Sequence, residues 1–224
     1  MKVRQVRWLL FTVLPILLVL DFVTSPRVVG MSQMWSNGQY RLVGGTRPVG
    51  LVIAALILGL YLLLMYADPA EIGSPFPGVF RRFVAFLVDF IVAMTVMAPV
   101  LGVIVALTEW SRTGVFQWAF ERETRAPIDG ILAPAGTVLV GVALAVYYAF
   151  PLVRRRPSPG ACIAGYQVLP DDGVTMTLRT ALLRTLLGLI SVWTAFLAPF
   201  IARDRKNGKF WLDKIFGTRA VMLS

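Results

Sequence analysis

The sequence contains no histidine and only one cysteine among its 224 residues. Without histidine, the chain has no imidazole to bind a metal or to act as the base of a Ser-His or Cys-His couple. Cys162 alone permits neither an internal disulfide nor a cysteine-based zinc site. These absences exclude histidine-dependent hydrolases and the common zinc proteins.

Charged residues are also scarce, at 15% of the chain, whereas 57% of the residues are hydrophobic. Soluble domains average roughly 45–50% apolar and about 25% charged residues. The sequence contains neither the G-x-S-x-G motif of serine hydrolases nor the P-loop motif of ATPases. We therefore expect a membrane protein that is not an enzyme and that binds no metal or other cofactor.

Five apolar segments approach the roughly 20 residues that a helix needs to cross a bilayer. They are Trp8–Val23, Val49–Ala67, Phe80–Leu107, Ile131–Val153 and Ala181–Ala202. The first four predict transmembrane helices. The fifth predicts either a span or a re-entrant hairpin, because glycine, serine and proline offer places to break it. The expected fold class is an all-α polytopic membrane protein.

The net charge of +10 comes from 22 Lys and Arg residues against 12 Asp and Glu residues. In a membrane protein this excess indicates basic cytoplasmic loops facing anionic lipid, rather than a nucleic-acid partner. If the N-terminus is cytoplasmic, segments 1–7, 68–82 and 154–184 hold 3, 2 and 5 basic residues inside. A tail from residue 203 that stays inside adds 6, which leaves 6 outside. The positive-inside rule therefore predicts that both termini are cytoplasmic.

Asp89 lies about two turns into the third segment and shares a helix face with Arg82, seven residues earlier. An unpaired charge at this depth costs ~2.5–3.5 kcal/mol on insertion scales. Asp89 is therefore expected either to have a cationic partner, with Arg82 and Arg184 as the candidates, or to be protonated. Asp213, in the basic tail, is expected to lie near Arg184 or Arg82.

Two interpretations of these four residues remain open. In the first, Arg82, Asp89, Arg184 and Asp213 form a structural ion-pair cluster that locks the third helix to the tail. In the second, Asp89 is a functional carboxylate on a cation or proton pathway, the default hypothesis for an ionisable residue inside the membrane. Neither interpretation assigns a catalytic residue.

The segment GVFRRFVAFLVD, from Gly78 to Asp89, resembles the opening signature R-x-x-A-x-x-x-D of the RDD family, which is named for one arginine and two aspartates. Later parts follow in the family's order. SPGACIAGYQV at 158–168 resembles T-P-G-K-x-x-x-G-x-x-V, Arg184 fits A-x-x-R, and DKIFGTRAV at 213–221 resembles D-x-x-x-G-T-x-V. Ser158 and Ala161 depart from the usual threonine and lysine. The resemblance covers residues 75–224 and leaves 1–74 as an additional two-helix membrane region.

The resemblance implies a multi-pass protein of the bacterial inner membrane with a cytoplasmic C-terminal segment. Arg82, Asp89 and Asp213 are the name-giving residues. The implied function is transport of a small cation in exchange for protons, or assistance to transport. The alternative is a non-catalytic membrane scaffold or assembly partner. The expected partners are anionic lipid headgroups at the cytoplasmic face and further copies of the same chain in a homo-oligomer.

Overall fold

The structure is a computed structural model that describes residues 2–24, 30–36, 39–68, 72–73, 77–124, 129–171, 173, 175–195 and 209–223. Within these residues the helices are α1 (Val3–Thr24), α2 (Pro48–Tyr66), α3 (Val79–Thr113), α4 (Asp129–Arg154), α5 (Pro159–Ala164), α6 (Leu178–Ala195) and α7 (Trp211–Ile215). The strands are β1 (Gly30–Ser36), β2 (Gln39–Gly45), β3 (Ile72–Gly73), β4 (Ala119–Thr124), β5 (Tyr166–Pro170) and β6 (Thr218–Leu223).

Four helices in the described part of the chain are long and apolar enough to cross a membrane: α1, α2, α3 and the part of α4 from Ala135 to Arg154. They coincide with the first four predicted spans. Large apolar side chains stay exposed on them, including Phe22 and Phe80 at 85% and 76%. Helices of this kind are suited to hydrocarbon rather than to water. The predicted polytopic helical membrane fold is confirmed.

The fifth apolar segment is partly described. Its first part belongs to α6, which is not among the four membrane-crossing helices. Residues 196–208 lie outside the described residues. The choice between a full span and a re-entrant hairpin therefore stays a prediction.

Two small antiparallel sheets accompany the helices, and neither is predicted from the sequence. One has the order β1-β2-β4, with Gly30 opposite Gly45 and Tyr40 opposite Thr124. The other has the order β3-β6-β5, in which β6 pairs with both of its neighbours. Strand β6, close to the C-terminus, thus lies in one sheet with segments that precede α3 and follow α5.

The chain forms two compact units. The first comprises Met1–Val13, Leu60–Ile91 and Leu144–Ser224, and the second comprises Leu14–Gly59 and Val92–Ala143. In the second unit, α3 approaches β2 so closely that a Cβ added at Gly102 would overlap the carbonyl of Gly45. Only glycine permits such an approach between backbones. The first unit holds all four residues singled out by the sequence analysis.

The short helix α5 lies in the first unit, and specific residues define both of its ends. Ser158 is its N-cap and Pro159 begins it, the residue types that favour a helix start. Gly165 ends it in the left-handed conformation, with φ of 74°. Arg7 of α1 donates a hydrogen bond to the carbonyl of Ile163 at 3.3 Å, near the C-terminal end of α5. A cation there also interacts favourably with the helix dipole.

Candidate functional site

Asp89 lies on α3 and is 3% exposed. Its Oδ1 accepts hydrogen bonds from the Tyr147 hydroxyl at 3.0 Å and from the backbone N–H of Gly160 at 2.7 Å. Its Oδ2 accepts a hydrogen bond from the Ser158 hydroxyl at 2.5 Å. The carboxylate is therefore held by three neutral donors, two of which belong to the start of α5.

The glycine at position 160 allows α5 to reach Asp89. A Cβ at Gly160 would overlap the carbonyl oxygen of Ala85 and lie 2.9 Å from Cγ of Asp89. Ala85 is 1% exposed and packs with Ala161, Tyr166 and Ala220. Small residues on both elements let their backbones approach, which brings the Gly160 N–H within hydrogen-bond distance of Asp89.

Asp213 lies on α7 and is fully buried, with 0% exposure. Its Oδ2 accepts from Arg82 Nη1 at 2.6 Å, and its Oδ1 accepts from Arg184 Nη2 at 2.7 Å. The Thr218 hydroxyl and the Phe210 backbone N–H donate to the same carboxylate at 3.1 and 3.3 Å. Asp213 thus joins α3, α6, α7 and the start of β6 within the first unit.

The charges around Asp213 decide its ionisation. Burial raises the pKa of this carboxyl, but the guanidinium groups of Arg184 and Arg82 together outweigh burial and hold the pKa below its ordinary value. Arg82 also stacks over the Phe210 ring, with 4.0 Å between its Cζ and the ring centroid. Asp213 is therefore a carboxylate at neutral pH.

Neither of the two candidate cationic partners, Arg82 and Arg184, pairs with Asp89. Both arginines bind Asp213 instead. Hydroxyl and backbone N–H groups replace them around Asp89. The physical reason is that α5 places its first N–H and its cap hydroxyl against the carboxylate, which satisfies the charge with hydrogen bonds rather than with a cation.

A cavity of about 200 Å³ lies between the two aspartates, within the first unit. All four predicted residues line it. The remaining polar lining includes Tyr148, Arg156, Ser158, Tyr166 and Thr185, and the apolar lining includes Phe86, Leu152, Val168, Leu189 and Phe210. The structure thus brings Arg82, Asp89, Arg184 and Asp213 to one cavity.

Sequence reasoning gave no role at this site to several residues that donate to the aspartates or line the cavity, among them Tyr147, Tyr148, Arg156, Ser158, Gly160 and Thr218. Tyr147 and Tyr148 are consecutive aromatic residues near the end of a span, a pattern that usually marks the membrane interface. Arg156 belongs to a run of three arginines that orientation alone explained. The Ser-Pro-Gly sequence at 158–160 was a usable signal, since it is typical of a helix start whose N–H groups bind an anion.

Carboxylates are too few here to hold a metal by themselves. Among the described residues, no group of three or more His, Cys, Asp or Glu side chains could hold a metal ion. The oxygens of Asp89 and Asp213 already accept three and four hydrogen bonds. Each carboxylate therefore has little capacity left for a further donor.

The reactivity of the Cys162 thiol measures whether α5 stays packed within the first unit. It lies on α5 with 0% exposure, and burial raises the pKa of its thiol to about 12. Because the thiolate is the reactive form, we expect maleimide to label Cys162 in native membranes roughly a thousandfold more slowly than an ordinary thiol of pKa about 8.5. Labelling should become rapid in SDS. A Ser111→Cys variant, which adds an exposed thiol, should label rapidly in native membranes, and equal labelling at both positions would contradict this seating.

The comparisons with known proteins agree with the motif pattern. The model of the RDD family matches residues 76–217, which is more than half of the chain and includes Arg82, Asp89, Arg184 and Asp213. No curated protein and no solved structure gives a significant match. With four helices able to cross a membrane and this family match, the chain is a multi-pass membrane protein that belongs to the RDD family.

Proposed function

We propose that the protein transports a small cation in exchange for protons and that Asp89 is the carboxylate that takes up and releases the proton. The observation that carries this proposal is the surroundings of Asp89. It is a buried carboxylate on a membrane helix, at the wall of a cavity, and its hydrogen-bond partners among the described residues are neutral. The cation exchange itself is suggested by the family resemblance.

A carboxylate that takes up and releases a proton is better served by neutral hydrogen-bond partners than by a cationic partner. In an ion pair, a permanent cation would oppose protonation of the carboxylate. Tyr147 and Ser158, by contrast, carry hydroxyls that rotate and both donate and accept hydrogen bonds. They can therefore accommodate Asp89 in its protonated and its ionised form without leaving a buried charge unpaired.

An Asp89→Asn variant tests the proposal. Asparagine has nearly the same size but has no carboxyl proton to release, so we expect cation-dependent proton flux in everted membrane vesicles to fall to the background level. Flux is measured with a fluorescent pH probe after addition of Na⁺, K⁺ or Li⁺. Membrane abundance of the variant, measured on the same vesicles, should stay close to that of the parent.

An Asp171→Asn variant is the matched control. It makes the same chemical change at an exposed aspartate that pairs with Lys209 at 2.5 Å, and it should keep full flux. Loss of abundance without specific loss of flux, or absence of cation-dependent flux in the parent, would refute the transport proposal.

The second candidate is a non-catalytic scaffold or assembly partner. The observation that favours it is the Asp213 cluster, in which one buried carboxylate ties two arginines, a threonine and a backbone N–H together. Such a network fixes the arrangement of the first unit whether or not anything passes through the cavity. Normal abundance combined with no flux for any cation would favour this candidate.

The charge distribution supports the proposed orientation and lipid contacts, the family resemblance supports the proposed membrane, and the small number of spans supports the proposed homo-oligomer. We propose the bacterial inner membrane, with both termini cytoplasmic, anionic headgroups at that face, and a homo-oligomer as the working form. The pairing of β6 with β3 and β5 supports a tail on the same side as segments 72–73 and 166–170. A reporter after Ser224 that labels only in permeabilised cells is the expected result, and labelling of intact cells would refute this orientation. The protein is not proposed to be an enzyme.

A further inference from the structure

The hydrogen-bonding groups around the cavity are unequally used. The carboxylates are nearly saturated, because Asp213 accepts four hydrogen bonds and Asp89 accepts three, against roughly four acceptor sites on each. They have little capacity left for a further donor or a cation. Any ligand of the cavity must therefore be bound chiefly by other groups.

Donors, in contrast, are left over. Nε and Nη2 of Arg82, Nε of Arg156, Nε of Arg184 and the hydroxyl of Tyr148 are buried and have no hydrogen-bond partner within the described part of the chain. All four residues line the cavity. Buried polar groups are normally paired, and leaving one unpaired is destabilising. Three further buried atoms without a partner among the described residues, on Arg7, Thr46 and Arg155, belong to residues outside the lining, so five of these eight atoms belong to residues of the cavity.

The net charge of the cavity lining also favours an anionic ligand. Three arginines and two aspartates line the cavity, so the lining carries one net positive charge when both carboxylates are ionised. Both sources of negative charge are already bound within the protein. Arginine presents a planar fork of N–H groups that matches phosphate and carboxylate oxygens. An anion with several acceptor oxygens would satisfy donors that a cation would leave unpaired.

We infer that this cavity is a binding site for a phosphate group, supplied either by the headgroup of an anionic lipid or by a free phosphate. Phosphate offers three to four oxygens to donors that come from four residues. The volume of about 200 Å³ is below the roughly 300–1,000 Å³ of sites that hold drug-sized ligands. The cavity therefore takes the anionic group and not a whole lipid, while Leu152, Val168 and Leu189 provide apolar contact for an attached chain. This inference does not depend on the proposed proton role of Asp89.

Tyr148→Phe gives a sharp test, because the hydroxyl that it removes has no partner in the described structure. The variant should keep the parent's melting temperature in a neutral maltoside detergent. Its dissociation constant for the phosphate ligand should nevertheless rise about tenfold, since one hydrogen bond to a charged group is lost. Arg156→Gln should weaken binding at least as much, and Arg156→Lys should weaken it less. Tyr66→Phe, at an exposed tyrosine away from the cavity lining, should bind like the parent.

Two titrations of the purified protein identify the source of the phosphate. One adds phosphatidylglycerol and the other adds inorganic phosphate, and binding is read from native mass spectrometry and from the ligand-induced rise in melting temperature. Binding of phosphatidylglycerol alone assigns the site to a lipid headgroup, and binding of inorganic phosphate assigns it to a free phosphate. No binding of either ligand, or equal affinity in the parent, Tyr148→Phe and Arg156→Gln, would overturn the inference. Proton flux is not used in this test, so its outcome is separate from that of the transport proposal.

Discussion

Replacing Asp213 with asparagine is expected to lower the free energy of unfolding by about 3–5 kcal/mol, the usual cost of removing one partner from a buried ion pair. The change leaves the guanidinium groups of Arg82 and Arg184 without their counter-ion, although their side chains are only 10% and 16% exposed. Asparagine also turns an N–H group toward one of them. The expected readouts are a large fall in the melting temperature in detergent and a large fall in membrane abundance.

Asp171→Asn is again the matched control. Its pair with Lys209 is partly exposed, at 33% and 26% of the two side chains, and pairs of this kind contribute roughly 0–1 kcal/mol. The melting temperature of this variant should therefore hardly change. Equal destabilisation by the two substitutions would contradict the assignment of Asp213 to a buried cluster.

Partner variants refine the same prediction. Arg184→Met and Asp213→Asn remove two ends of one contact, so their combined effect on the free energy of unfolding should differ from the sum of the single effects by roughly 0.5–3 kcal/mol.

The pH dependence of stability gives a separate prediction. Because the pKa of Asp213 is held below its ordinary value of about 3.9, the contribution of Asp213 to stability is present above that pH and is lost as the pH falls through the lowered pKa. The difference between parent and Asp213→Asn should therefore stay constant from pH 8 to pH 5. Additive single effects, or a difference that disappears by pH 5, would show that Arg184 and Asp213 do not act as an ion pair.

Replacing Gly160 with alanine is the second substitution for which a large effect is expected. The new Cβ would overlap the Ala85 carbonyl and press on Cγ of Asp89, so α5 must move away from α3. Overpacking costs typically 1–3 kcal/mol. The hydrogen bond from the Gly160 N–H to the Asp89 carboxylate, of a class worth about 1.5–3 kcal/mol, is weakened at the same time. We expect a loss of about 3 kcal/mol or more.

Gly141→Ala controls for the change of residue type. Gly141 lies within α4, and a Cβ added there meets nothing within 4 Å, so the substitution should be neutral or stabilise the helix by roughly 0.5–1 kcal/mol. Both variants are compared by melting temperature and by maleimide labelling of Cys162. Displacement of α5 should expose Cys162 in Gly160→Ala only. A Gly160→Ala protein with the parent's stability and an unreactive Cys162 would show that α5 does not approach α3 as described.

The sequence determined those features that depend on neighbouring residues along the chain. Insertion into a membrane depends on the summed hydropathy of about 20 consecutive residues, and the four spans could therefore be located without any structure. Asp89 was identified as significant because a charge stands out within such a segment. The family followed from motifs of fixed spacing, and the match over residues 76–217 confirmed it.

The partners of each charge were decided only by the tertiary structure. Arg82 and Asp213 are 131 positions apart in the chain, and Asp89 and Ser158 are 69 apart, so no local pattern records that they meet. From the sequence, Arg82 and Arg184 were the candidate partners of Asp89. In the structure α7 places the Asp213 carboxylate beside both arginines. The start of α5 supplies two of the hydrogen-bond donors to Asp89. The two small sheets were missed for a similar reason, since β6 finds its neighbours about 50 and about 150 residues away. Hydropathy reports transfer from water into lipid, whereas pairing depends on distances that exist only once the chain has folded.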